Sequence, residues 1–277
     1  MPLGSRISDE ILVSSLASLA SLSSPASPAS PASSSSSSTE ENLFAELSAS
    51  TRWEDVGKGR RGAVLTRIDD AGDVPLVRTT TRYGDPAQRF RAVHERLARR
   101  IQERAALPVG FNNALIELYT NAYRTMGGHC DQALDLSDDS FIAVFSCYEH
   151  PEAGTPRKLI FESKEAGGEK VEIPLTHHGV VAFSVASNRM LKHRIVWDAP
   201  VGTADNRWLG VTFRTSKTFV RYRDGQAYLP QGERLLSADD EQRREFYRLR
   251  RRENEASDFT YPLLAYTVSD SDLMPPV

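Results

Sequence analysis

The sequence predicts a mainly β fold with flanking helices, a sandwich or barrel of antiparallel strands supported by helices on one side. Three observations predict it. An amphipathic helical pattern stands first, six short β-branched or aromatic runs follow with Gly, Pro, Asp and Asn between them, and a charged helix comes late in the chain.

Taken in order, residues 14–39 are Ser, Ala, Pro and Leu almost alone, with three Pro-Ala-Ser triplets over 25–33 and serine throughout 33–38. Such a composition buries too little apolar surface to offset the entropy of ordering, so residues 1–42 are expected to be a disordered Ser/Pro/Ala-rich segment and 43–277 the folded domain. A secretory signal over 11–22 is the rival reading. Asp9 and Glu10 abut its apolar part and serines interrupt it, which disfavours it.

Over 85–106, Phe90, Val93, Leu97 and Ile101 recur at three- and four-residue steps, and Pro108 ends the pattern, so a helix is expected there. A second helix is read over 111–119. Strands are expected over 141–148, 158–162, 170–175, 179–185, 193–197 and 207–219. The last helix, 239–255, reads as a solvated outer element whose arginines at 248–252 are flanked by Glu241, Glu245, Glu253 and Glu255.

Composition narrows the function. The chain has 277 residues, with 34 Lys+Arg against 37 Asp+Glu, so it lacks the basic excess of a protein that grips nucleic-acid backbone. No run approaches the roughly 20 apolar residues of a spanning helix, and no membrane partner is expected. Cys130 and Cys147 are too few for a disulfide framework, and a reducing cytoplasm is the expected compartment.

The chemistry concentrates in Met126-Gly-Gly-His129-Cys-Asp131 and in His193. Residues two apart on a strand share a face, so His129 and Asp131 converge, and a histidine from a distant strand completes a set of two imidazoles and one carboxylate. That set leaves three open positions on an octahedral ferrous ion, enough for a bidentate cosubstrate and dioxygen. His193 follows the Gly179-Val-Val-Ala-Phe-Ser184 strand. Further on, alternation puts Trp208, Gly210, Thr212, Arg214 and Ser216 on one face. An inward arginine can hold both oxygens of a carboxylate.

The order His-x-Asp, glycine-led strand, His and Arg-x-Ser resembles that of the iron(II)/2-oxoglutarate-dependent dioxygenases. The stretch from Val74 to Phe219 is more narrowly similar to their AlkB-like subgroup, through Arg78-Thr-Thr-Thr-Arg-Tyr83-Gly84 and through Asn112-Asn-Ala-Leu leading to Tyr119. The resemblance implies a double-stranded β-helix, or jelly roll. It implies that His129, Asp131 and His193 bind Fe(2+), that Arg214 with Ser216 and Thr212 holds 2-oxoglutarate, and that Tyr119 contacts this cosubstrate. Two departures stand out. Glu117-Leu-Tyr119 replaces the subgroup's Asn-x-Tyr, and Trp208 and Gly210 replace the Arg and Asn of its last strand. Arg207, one position off, is therefore the reserve anchor.

Plainer roles compete at each position. His177 and His178 precede the glycine-led strand and suit a turn, while His94 and His150 read as surface residues. Cys130 reads as a packed thiol and Tyr119 as a possible core aromatic. Arg78, Tyr83 and Trp208 are the substrate candidates, with loop or packing roles as the alternative.

What the resemblance implies is oxidative hydroxylation with dioxygen, and the near-neutral charge points to a small polar metabolite. A natural product is the expected class, with the aminocyclitol of the validamycin-type antibiotic hydroxylases as the specific guess. The alternative is AlkB-like demethylation of nucleic acid, with Arg89, Arg91, Arg96, Arg99, Arg100 and Arg104 as a phosphate lip. A non-catalytic binding role ranks last.

Overall fold

The computed structural model describes residues 11–16, 42–200 and 203–277. The chain opens with β1 (Ile11–Ser15), α1 (Leu43–Ser50), β2 (Glu54–Gly57), β3 (Arg60–Thr66), β4 (Val74–Leu76), β5 (Gln88–Arg89), α2 (Ala92–Arg104) and β6 (Asn113–Tyr119). The middle holds β7 (Phe141–Tyr148), β8 (Lys158–Ser163), β9 (Lys170–Pro174), β10 (Gly179–Ser184), α3 (Val185–Met190), β11 (Leu191–Val196) and β12 (Trp208–Arg214). β13 (Thr218–Arg223), β14 (Gln226–Tyr228), β15 (Leu236–Ser237), α4 (Asp240–Glu255) and β16 (Tyr266–Thr267) follow.

A major sheet runs β1-β10-β7-β12-β6-β3-β2, antiparallel throughout, with β5 adding in parallel to β3. A minor sheet, β11-β8-β9, covers one of its faces, and α1 and α2 cover the other. The fold is a jelly roll with flanking helices. Alternation sorts the side chains. Ala114, Ile116, Leu118, Ala143, Phe145, Leu209, Val211 and Phe213 join the helix-side core, whereas Tyr119, Val144, Val181, Phe183 and Trp208 face the minor sheet.

This two-sided burial explains where the sequence misleads. The 111–119 segment is strand, not helix: both faces of β6 are covered, so its apolar residues run together and lose the polar-out alternation of an exposed strand. The helix expected over 85–106 is α2 and starts at Ala92, because Gln88 and Arg89 extend alongside Leu65 and Thr66, and His94 closes a capping box with Arg91. The 207–219 run breaks into β12 and β13 at Thr215 to Lys217, where Ser137 N–H bonds to Thr215 O and Lys217 N–H to Asp135 O. Between the expected strands 179–185 and 193–197 the chain forms the short helix α3.

Within the segment expected to be disordered, Ile11–Ser15 pairs with β10, Leu16 is buried and Asn42 caps α1; residues 1–10 and 17–41 lie outside the described residues. The last helix is not merely solvated, since Phe246, Leu249, Arg250 and Glu253 are buried. His94 is a core residue, not a surface one. Its Nδ1 accepts from Arg91 N–H at 3.0 Å and its Nε2 lies 3.3 Å from Ser50 Oγ. Burial, then Arg91, pushes its pKa down to about 4. No helix among the described residues is long and apolar enough to cross a membrane.

Two outcomes are expected. Leu16→Ala lowers stability by about 2 kcal/mol in urea unfolding, and an unchanged midpoint would detach β1 from the core. His94 binds its proton more readily unfolded than folded, so its contribution to stability is complete above pH 6.5 and declines as pH falls toward 4, by on the order of 3 kcal/mol. His94→Gln should flatten that stretch of the stability profile; an equally steep fall would assign the acid sensitivity elsewhere.

Candidate metal centre

The two histidines are brought together by the backbone. Segment 125–129 adds to the free edge of β11 through isolated bridges, and His129 stands directly opposite His193. His129 N–H bonds to His193 O at 3.0 Å, and His193 N–H to His129 O at 2.7 Å. Side chains opposite each other on neighbouring strands project together, so the ring centroids lie 4.7 Å apart. Asp131, two residues on, joins them. The ligand atoms of His129, Asp131 and His193 all fall within 4.8 Å of one another.

Hydrogen bonding sets which atoms are offered. His129 Nδ1 lies 2.9 Å from Gly127 O, and a carbonyl can only accept, so Nδ1 carries the proton and Nε2 keeps its lone pair. Burial, then the neighbouring His193, pushes the His129 pKa down to about 4 and keeps the ring neutral at pH 7. His193 turns its Nε2 to Asp131 Oδ1, 3.5 Å away. Burial alone would raise the Asp131 pKa, but Arg214 and His193 outweigh it and hold the carboxylate well below its usual range. The neutral His129 imidazole and the ionised Asp131 carboxylate are in the donor states a divalent metal requires.

The loop that carries these ligands has little regular structure of its own and is clamped from three sides. From α3, Asn188 accepts from Asp131 N–H and donates to Asp131 O, each at 2.8 Å. From β12, Arg214 Nε and Nη2 both reach Asp131 Oδ2 at 2.7 Å. From α4, Asn254 Oδ1 accepts from Cys130 N–H at 2.9 Å, Arg250 Nη2 donates to Cys130 O at 2.8 Å, and Glu253 Oε1 accepts from Ala133 N–H at 2.8 Å. Arg250 and Glu253 also pair with each other, and Tyr261 OH donates to Glu253 at 2.6 Å. Cys130 is a packed thiol facing this helix.

A cavity of about 370 Å³ opens over the triad, lined also by Arg60, Thr79, Thr81, Glu117, Tyr123, Met126, Thr212 and Arg214. Several residues expected to serve cosubstrate or substrate stand elsewhere. Ser216 turns away: its hydroxyl sits among the carbonyls of Leu76 and Thr218, and its N–H bonds to Asn112 Oδ1 at 2.7 Å. Tyr119 is wholly buried behind Glu117, to which its OH donates at 2.9 Å. Trp208 is core: its Nε1 donates to Ser146 Oγ at 2.7 Å, and its ring lies against Gly210, where a Cβ would come within 2.2 Å of it.

Arg78 borders the cavity with its donors committed, bidentate to Asp135 at 3.0 and 2.7 Å and to the carbonyls of Leu264 and Tyr266. Tyr83 is buried beneath the sheet with its OH over Gly62. The reserve anchor Arg207 points outward and pairs with Glu149. His177 and His178 occupy the turn before β10, and His150 is exposed.

Arg60, Tyr123, Asn188 and Asn254 carried no motif. Arg250, Glu253 and Asn254 did leave a signal: with Phe246 and Leu249 they share one face of α4, at three- and four-residue steps. Polar residues on the apolar stripe of a charged helix mark a face that binds something.

No family model and no curated protein matches the sequence. The solved structure of OsALKBH1 is 15% identical, with a TM-score of 0.38, over 59% of this chain and 83% of that one. So loose a likeness leaves the site to its own geometry.

Asn188→Ala is expected to weaken cobalt(II) or iron(II) binding about 10- to 100-fold, because Asp131 loses its backbone clamp while all three ligands remain. Titration calorimetry checks it. Unchanged affinity would mean that the loop holds its shape unaided.

Proposed function

We propose that this chain is a mononuclear iron(II)-dependent oxygenase that uses dioxygen and a 2-oxo acid to hydroxylate a small polar molecule. The observation that carries the reading is the convergence of two imidazoles and one arginine-held carboxylate, their ligand atoms within 4.8 Å of one another, at the lining of a roomy cavity. Three protein ligands from one side leave the other side of the ion to cosubstrate and oxygen. Bound there, iron(II) supplies the redox chemistry that makes dioxygen reactive toward a C–H bond.

The protein's part is holding and shielding. His129, Asp131 and His193 would bind the metal, and Arg214 keeps Asp131 ionised and aimed. Arg214 Nη1 is buried without a hydrogen-bond partner, on a residue that lines the cavity. It suits the metal-chelating carboxylate of a 2-oxo acid, so 2-oxoglutarate fits at that end. Its far carboxylate does not fit, because the anchor expected from Arg214 with Ser216 is absent: Arg214 is committed to Asp131 and Ser216 faces away. Thr79 and Thr81 on the cavity wall suit a hydroxyl- and amine-rich metabolite of the aminocyclitol kind.

Demethylation of nucleic acid draws less support. The arginine-bearing helix α2 packs on the face of the major sheet that looks away from the triad, so its arginines do not form a lip for the cavity.

Asp131→Ala should abolish both iron binding and release of CO₂ from 2-oxo acids, measured with pooled small metabolites and, separately, methylated oligonucleotides. Undiminished turnover in that variant would remove the triad from the chemistry. Turnover with the oligonucleotides alone would replace the metabolite reading.

A further inference from the structure

The inner face of the major sheet is laid out in rows by its register. Arg60, Tyr119 and Trp208 form one row; Gly62, Glu117 and Gly210 the next; Val64, Leu115 and Thr212 a third; Thr66, Asn113 and Arg214 the last. Arg214 marks the metal end. At about 3.3 Å per residue, the Glu117 row lies about 13 Å further along β12, at the far end of the same cavity.

That end carries a protein carboxylate where a dicarboxylate cosubstrate needs a free cation. Glu117 Oε1 accepts from Arg60 Nη1 at 3.0 Å and Oε2 accepts from Tyr119 OH at 2.9 Å, so both oxygens are held as acceptors. Arg60, in the adjoining row, is the arginine that reaches this end, and Glu117 already pairs with it. Arg60 Nε remains buried without a partner. A second carboxylate arriving here would meet the like charge of the buried Glu117, while a group offering both an N–H and a C=O would find Glu117 for the first and Arg60 Nε for the second.

Resting on the iron oxygenase reading above, we propose that the far end of the cavity takes an uncharged tail that both donates and accepts a hydrogen bond, a primary carboxamide in the simplest case, and disfavours the second carboxylate of 2-oxoglutarate. The cosubstrate is then a 2-oxo acid with a neutral polar tail, and Glu117 is the residue that selects it.

The test titrates the full chain loaded with cobalt(II), following the visible spectrum of the metal, with 2-oxoglutaramate counted as its open-chain form, 2-oxoglutarate and 2-oxobutyrate. The amide is expected to bind about ten-fold more tightly than 2-oxoglutarate, and Glu117→Gln to shift that ratio about ten-fold toward 2-oxoglutarate with cobalt affinity unchanged. Wild-type protein that binds 2-oxoglutarate as tightly as the amide overturns the proposal, as does a folded Glu117→Gln variant with an unchanged ratio. Should Glu117→Gln not fold, the wild-type ratio decides by itself. If cobalt binds and none of the three acids perturbs it, the 2-oxo-acid reading of the site fails as well.

Discussion

The pairing of Asp131 with Arg214 is the constraint on which the site depends. A carboxylate this deeply buried would take up a proton if left alone, and a protonated acid is a poor metal ligand. Arg214 prevents that by placing two donors on one oxygen, Oδ2, which leaves Oδ1 turned toward His193. Breaking such a pair from one side strands a buried charge, at a cost of about 3 to 5 kcal/mol. The guanidinium therefore belongs to the candidate metal centre as much as the three candidate ligands do.

Around that pair the molecule solves a problem of distance along the chain. The ligand loop has little regular structure, and its shape is imposed by α3, β12 and α4, whose contacting residues lie 57, 83 and 120 or more positions away. The jelly roll makes this possible by placing the ends of β10 and β12 beside the same loop. The major sheet is thus scaffold and site at once, buried by helices on one face and chemically furnished on the other.

Much of this was legible in the sequence, for physical reasons. Strands such as 141–148 and 179–185 announce themselves because β-branched and aromatic residues cluster between turn formers, and His-x-Asp with a distant His marks the triad, although a bridge at His129 and the clamps on Asp131, not a regular strand, bring the side chains together. β6 was misread because a strand covered on both sides has no polar face to reveal its period. Alternation places Arg214 on the inner face, but nothing in Arg-x-Ser distinguishes an arginine that waits for a ligand from one that already holds Asp131. Arg78 and Tyr83 read as loop residues because their partners, Asp135, Leu264, Tyr266 and Ser269, come from remote segments.

The place of β1 bears on how the molecule behaves in company. It closes the β10 side of the major sheet, covering a strand of composition Gly-Val-Val-Ala-Phe-Ser that carries no charge and no proline. A bare strand of that kind is a template for its neighbours in a crowded solution, able to recruit extended chain from another molecule. The five residues Ile11–Ser15 move that border outward by one strand, so that among the described residues the edge is now Ile-Leu-Val-Ser-Ser, equally free of charge and proline and with Leu12 and Val13 exposed.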